Sequence, residues 1–290
     1  MSVTASLVKE LREITGVGMM ECKKVLVETE GDLQAAQDLL RTRGQAKAEK
    51  KSGRIAAEGA VVFAVGADAG VLVEINSETD FAARDEGFKS FAQKTAELLL
   101  ANNPADAEAL AALDFGGKSF AETRSELVSK IGENINLRRF QVVKPQGVLG
   151  SYIHGGRIGV VVDVVGGDED LARDIAMHIA AAAPICVSED DVPAENLERE
   201  RRILTEQALN EGKPPEIVEK MIAGRLRKHL AQITLVGQAF VKDPDITVGK
   251  LLKGKGATVA SFIRFEVGEG IEKKEDNFAE EVAAQVKASS

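Results

Sequence analysis

The chain has 290 residues, with 37 basic against 46 acidic side chains, a formal charge of −9, no Trp, one Tyr, two Cys and three His. At roughly 100–200 residues per domain the length predicts about two domains. A composition of 44% hydrophobic and 29% charged residues is that of a well-cored globular protein, which excludes disorder and collagen-like repeats. Affinity built on phosphate contacts goes with a basic face or a pI above about 9, so an acidic, aromatic-poor chain reads as a protein binder, not a nucleic-acid binder.

Cys22 and Cys186 stand far apart with no CxxC pair, so neither a disulfide framework nor a thiolate zinc site is available, and a reducing compartment is expected. The N-terminus lacks an unbroken apolar core, and the longest apolar stretch, Ile175 to Val187, is interrupted by His178 and Pro184 and is shorter than the roughly 18 residues of a membrane span. These features predict a cytoplasmic protein.

Residues 4–43 read as three short helices. Thr4 caps a run with Leu7, Val8 and Leu11 on one face, and Gly16-Val-Gly18 breaks it. A second helix runs from Met19 to Gly31, and Asp32 caps a third that ends at Gly44. The polar, basic segment Gln45 to Gly53 reads as a helix tail running into a linker, with a boundary near residue 55. Beyond it the period changes: Ala60–Val65 and Val71–Ile75 form a hairpin, followed by a helix carrying Phe88, Phe91 and Thr95, a helix over 121–134 and a strand over 135–143.

A similar order returns in Val148–Ile153, Gly159–Val165, a helix from Glu169 to Ala182, and a late strand Val259–Val267 that shares an Arg-Phe-x-Val core with the strand at 135–143. This predicts a duplicated α+β core with antiparallel sheets; two unrelated α+β stretches are the alternative. Charged helices over 195–211 and 215–230 read as an inserted antiparallel helical hairpin. Phe278, Val282 and Val286, at spacings of four, read as a C-terminal amphipathic helix.

No active site is legible. Gly116-Gly-Lys-Ser119 resembles the end of a P-loop, but the first glycine the motif needs is Ala112. Gly254-Lys-Gly256 lacks the third glycine of a dinucleotide fingerprint. His154, His178 and His229 have no metal-ligand spacing, and His178, in an apolar helix, reads as a satisfied core histidine.

Three segments look like contact surfaces. Met19 and Met20, adjacent after a Gly-x-Gly turn, cannot both face the core, and flexible thioethers suit protein contacts. Phe81, beside Asp80, is either part of an N-cap with a hydrophobic staple onto the helix at Phe88 or a wedge presented to a partner; composition favours the staple. His154 and Arg157 flank a glycine turn, for which the residues alone favour an ordinary surface hairpin over a contact site.

Thr15-Gly-Val-Gly-Met-Met-Glu-Cys-Lys-Lys24, Glu78-Thr-Asp-Phe81, Lys130-Ile-Gly-Glu-Asn-Ile-Asn-Leu-Arg-Arg139, His154 to Gly159 and Phe262-Ile-Arg-Phe-Glu-Val-Gly-Glu-Gly-Ile-Glu272 resemble bacterial translation elongation factor Ts, in that family's order and over essentially the whole chain. The resemblance implies a ubiquitin-associated-like helical domain and linker (1–55), a core N-subdomain (56–144), a core C-subdomain (145–190 and 231–268), a coiled-coil insertion (191–230) and a C-terminal helical module (269–290). It implies a guanine nucleotide exchange factor that binds elongation factor Tu and promotes replacement of GDP by GTP. Such a factor has no bond-making chemistry, no cofactor or metal of its own, and no direct contact with nucleotide, nucleic acid or membrane. By similarity Thr79, Asp80, Phe81 and Ala82 match the motif that disturbs the partner's magnesium site; the family commonly has Val where this chain has Ala82. Arg12, Met19 and Met20 match contacts to the partner's nucleotide domain, and His154 a contact to its third domain. A homodimer or a two-plus-two complex stays open. The competing class is an adaptor that uses its helical hairpin for assembly.

Overall fold

The structure, a computed structural model, describes residues 3–211 and 215–272. The expected helix at 277–287 lies outside the described residues.

The chain opens with α1 (Ala5–Thr15), α2 (Met19–Glu28) and α3 (Leu33–Lys51). Thr4 caps α1 by accepting from Leu7 N–H, and Asp32 caps α3 by accepting from Ala35 N–H. Val8, Leu11, Cys22, Val25, Leu26, Ala36 and Leu40 form a small core between them. Lys47 pairs with Glu21 at 2.9 Å and Arg43 with Glu28, tying α2 to α3.

Where an end at Gly44 was expected, α3 continues to Lys51. The cause is tertiary: a Cβ on Gly44 would stand 2.9 Å from Ser129 Oγ, so the glycine lets α3 lie closely on a later helix. Ala48 is buried in the neighbouring core, Lys51 Nζ donates to Gly132 O, and Asn134 Nδ2 donates to Ser52 O and Arg54 O. The basic tail is thus a docking segment.

Next come β1 (Glu58–Val65), β2 (Gly70–Ser77), α4 (Asp80–Arg84), α5 (Glu86–Asn102), α6 (Ala107–Ala112), α7 (Phe120–Ile131) and β3 (Asn136–Val143). The second half holds β4 (Val148–His154), β5 (Ile158–Val165), α8 (Glu169–Ala182), α9 (Ala194–Asn210), α10 (Pro215–Ile233), β6 (Ala239–Phe240), β7 (Asp243–Thr247), α11 (Val248–Gly254) and β8 (Thr258–Glu266). The two main sheets are antiparallel and share one plan, β1-β2-β3 and β4-β5-β8, each with its hairpin first and its third strand arriving late. The fold is therefore α+β with antiparallel sheets. The ribbon β6–β7 and α11 are additions that sequence period did not reveal, because such short elements carry too few residues to show one.

The sheets stack face to face through Val61, Leu72, Val161, Ile263 and Phe265. Behind the first, Val71, Val73 and Ile75 meet Phe88, Phe91, Leu99 and Val128 of α5 and α7. Behind the second, Val160, Val162 and Val164 meet α8 and α11. β5 is covered on both faces, which explains its valines at 160–162 and 164–165 on both sides of the strand. Glycines permit the close approach of layers: a Cβ on Gly150 would fall 2.3 Å from the Ala172 main chain of α8. Gly150→Ala should cost about 1–3 kcal/mol by overpacking, read as a lower midpoint in urea unfolding; an unchanged midpoint would show that α8 can slide.

His178 is fully buried in α8, with Nε2 3.0 Å from Gln238 Oε1 and Nδ1 accepting from Val241 N–H at 3.2 Å. That pattern assigns the proton to Nε2 and leaves no acceptor for a second one. Burial pushes its pKa down, against a smaller upward pull from Gln238. The folded state thus resists protonation, so stability should fall as pH drops below about 6.5, the unfolded value, until the folded value is passed. Calorimetry from neutral to mildly acidic pH should show this fall in the wild type and a smaller one in His178→Asn.

Candidate partner-binding face

α4 is one and a half turns long and fixed at both ends. Thr79 caps it by accepting from Ala82 N–H at 3.3 Å; its own N–H and Oγ1 donate to Glu133 Oε2 and Oε1 at 2.9 and 2.6 Å. Glu78 accepts from Asn134 N–H at 2.6 Å and pairs with Arg54 at 3.4 Å. Asp80 pairs with Arg84 at 2.8 Å, Ala82 is buried, and the chain turns at Asp85, which caps α5 through Gly87 and Phe88 N–H.

This geometry overturns the expected staple. A staple links the residues before the cap and four beyond it; around Asp85 these are Arg84 and Lys89, neither apolar. Phe88 is buried in the core, and Phe81, on the separate α4, is 78% exposed. Met20 at 79% and Phe81 are the two most exposed large apolar side chains among the described residues, and Met19 is 52% exposed.

Across from α4 lies the tip of the β4–β5 hairpin. His154 is exposed there and stacks on Tyr152 with ring centroids 6.2 Å apart. The tip is anchored to the first sheet, where Val61 N–H donates to Gly156 O at 2.8 Å and Arg157 pairs with Glu58, and to its own sheet, where Val267 N–H, just past β8, donates to Arg157 O at 2.8 Å. Between α4 and the tip runs a groove of about 620 Å³, with Asp80, Ala83 and Arg84 on one wall, Ile153, Gly155 and Arg157 on the other, and β1 as floor.

The structure therefore brings Asp80 and the neighbours of His154 at the hairpin tip to one groove, while Thr79, Phe81, Ala82 and His154 themselves do not line it. Arg12, Met19 and Met20 lie apart from it, on the helical unit around the turn that Gly16 makes in the left-handed region at φ 68°. That turn abuts α7: Lys130 Cδ lies 3.5 Å from an ideal Cβ on Gly16, and its Nζ 3.6 Å from one on Gly87 at the start of α5. Sequence reasoning gave no role to Glu133, Arg84 or Glu58, which hold these contact segments. The signal for Glu133 was its place in the 130–139 block.

Among the described residues no group of three or more His, Cys, Asp or Glu could hold a metal ion, and no helix is long and apolar enough to cross a membrane. The family Elongation factor TS matches residues 78–269. Elongation factor Ts of Thioalkalivibrio sulfidiphilus is 59% identical over 293 residues, that of Alkalilimnicola ehrlichii 60% over 292 and that of Halorhodospira halophila 57% over 291, each match covering 100% of both chains. With a family match over most of its length and relatives at such identity from end to end, the chain belongs to the elongation factor Ts family and is a factor of translation elongation.

Proposed function

We propose that this chain is the guanine nucleotide exchange factor of elongation factor Tu: it binds the GDP-bound partner and promotes exchange of GDP for GTP by disturbing the partner's magnesium and phosphate site. The observation that carries the reading is Phe81, a large apolar side chain held 78% exposed on a short helix whose base is pinned by Glu133. An exposed ring on a stiff support enters a partner at the cost of its own rotamer freedom alone, with no backbone left to order. Thr79 fixes the base, Asp80 stands at the start of the helix, and Ala82 is the helix's buried side, opposite in exposure to the Phe81 ring. Arg12, Met19 and Met20 contact the partner's nucleotide domain and His154 its third domain.

In this reading residues 1–55 are a ubiquitin-associated-like domain and 191–230 a coiled-coil. In the hairpin formed by α9 and α10, Ala208 meets Val218 and Ile222, and Arg225 pairs with Glu211 at 2.9 Å. The core subdomains are 56–144 and 145–190 with 231–268, and the chain works in the cytoplasm, alone or as two copies on two partners. It makes and breaks no bond. The test is stopped-flow release of a fluorescent GDP analogue from purified elongation factor Tu, with and without this protein. Release should accelerate strongly; binding in pull-down with no change in release would favour an adaptor role instead.

A further inference from the structure

With five residues, α4 is too short to hold itself as a helix, so the direction of the exposed Phe81 ring depends on what holds its first turn. Thr79, on which that turn starts, has every polar atom engaged. Its N–H and Oγ1 donate to Glu133 Oε2 and Oε1 at 2.9 and 2.6 Å, Oγ1 also accepts from Ala82 N–H at 3.3 Å, and its carbonyl accepts from Ser77 Oγ at 2.9 Å and Ala83 N–H at 3.4 Å. A hydroxyl carries one proton and a carboxylate only accepts, so that proton points to Glu133 and the lone pairs are left to Ala82 N–H. Glu133 thus orients the cap of α4 and fixes the main chain two residues before Phe81.

Glu133 is itself held by its neighbours in the turn after α7. The Gly132 carbonyl accepts from Lys51 Nζ, and the buried Asn134 donates from Nδ2 to Ser52 O and Arg54 O at 3.3 and 2.8 Å. Asn134 N–H and Arg54 both reach Glu78, the residue before Thr79. Three consecutive residues therefore tie the end of α3 to the start of α4, so the ring is set against the same frame as the helical unit that carries Met19 and Met20. We propose that Glu133 is a positioning residue of nucleotide exchange, acting through Thr79 to aim the Phe81 ring at the partner. The inference rests on the exchange-factor reading and adds to it the residue that sets the direction of the ring. Hydrogen-bond chemistry separates this role from one of charge. Glutamine can still accept from Thr79 N–H on its oxygen while its amide donates to Oγ1, which keeps a lone pair for Ala82 N–H; alanine offers neither bond.

The test is stopped-flow release of a fluorescent GDP analogue from elongation factor Tu at saturating concentrations of the full chain, with urea unfolding to establish that each variant is folded. Glu133→Ala should slow release by about fivefold to tenfold, the factor of a hydrogen bond lost. Glu133→Gln should recover most of that loss. Added to Phe81→Ala, Glu133→Ala should cost nothing further, because no ring is left to aim; a role in general stability or in a separate contact would instead lower the rate again by a similar factor. That further loss, a glutamine variant as slow as the alanine variant, or a folded Glu133→Ala at the wild-type rate each overturns the positioning role and leaves the exchange function standing. A wild-type chain that leaves GDP release unchanged overturns both.

Discussion

Phe81→Ala is expected to slow stimulated GDP release from elongation factor Tu by about one to two orders of magnitude, with the variant as stable as the wild type. Burying a phenylalanine ring contributes about 1.5–3 kcal/mol, and each 1.36 kcal/mol, approximately, is a factor of ten in rate. Phe81 is 78% exposed in the free chain, so its removal takes little from the fold, within about 0.5 kcal/mol. Asp80→Ala should follow the same pattern at smaller size: its pair with Arg84 is an exposed one-turn contact worth about 0.5 kcal/mol or less. Stopped-flow release beside urea unfolding separates the two effects. Unchanged release in both variants would sink the wedge, and a matching loss of stability would show that the ring supports α4 instead.

One ring is not enough for the whole function. Moving a two-state equilibrium from 1:99 to 99:1 takes about 5.5 kcal/mol, roughly twice what Phe81 supplies at most. The remainder must come from contacts made more strongly with the nucleotide-free partner, which is why Met19, Met20 and His154 matter to the same cycle. Coupling is reciprocal: to the extent that the factor weakens GDP binding, GDP weakens the grip of the factor. GTP can then rebind and release it.

Much of this was legible in the sequence for identifiable reasons. Helix α1 shows its cap and its apolar stripe within a dozen residues, and β5 shows its double burial in its valines on both sides of the strand. The two-sheet plan was legible because the order of elements repeats. What failed was decided by distant residues. Gly44 looks like a helix stop, but Ser129 lies across from it and α3 passes through. Phe81 looks like a staple because Phe88 follows at a plausible spacing; only the turn at Asp85, which starts a new helix, shows that the two rings never meet. The groove joins residues 80 and 157 through the stacking of two sheets, which no local pattern encodes.

Glu74→Gln should be the most destabilising conservative change in the chain. Glu74 is fully buried between the sheets, where Oε1 accepts from Arg138 at 3.0 Å, Gly268 N–H at 2.8 Å and Asn76 Nδ2 at 3.2 Å, and Oε2 accepts from Arg139 Nε at 2.6 Å. Arg139 in turn lies 4.3 Å over the Phe265 ring and pairs with Glu269 at 3.0 Å, so the carboxylate fastens the end of β8 to the first sheet. Breaking a buried pair costs about 3–5 kcal/mol. The side chains of Arg138 and Arg139 keep 24% and 31% exposure, which puts the expected loss at the low end, about 3 kcal/mol. Burial alone would push the Glu74 carboxyl up, but the Gly268 amide and the two guanidiniums outweigh it and hold its pKa below the ordinary value. A depressed folded pKa stabilises above the unfolded value, about 4.3, and that contribution is lost as pH falls through the folded value. The gap in urea stability between wild type and Glu74→Gln should therefore be full at neutral pH and narrow in acid, well below the window in which His178 acts. A gap that stays constant through the acid range would mean that the glutamate holds the sheets by shape and not by charge.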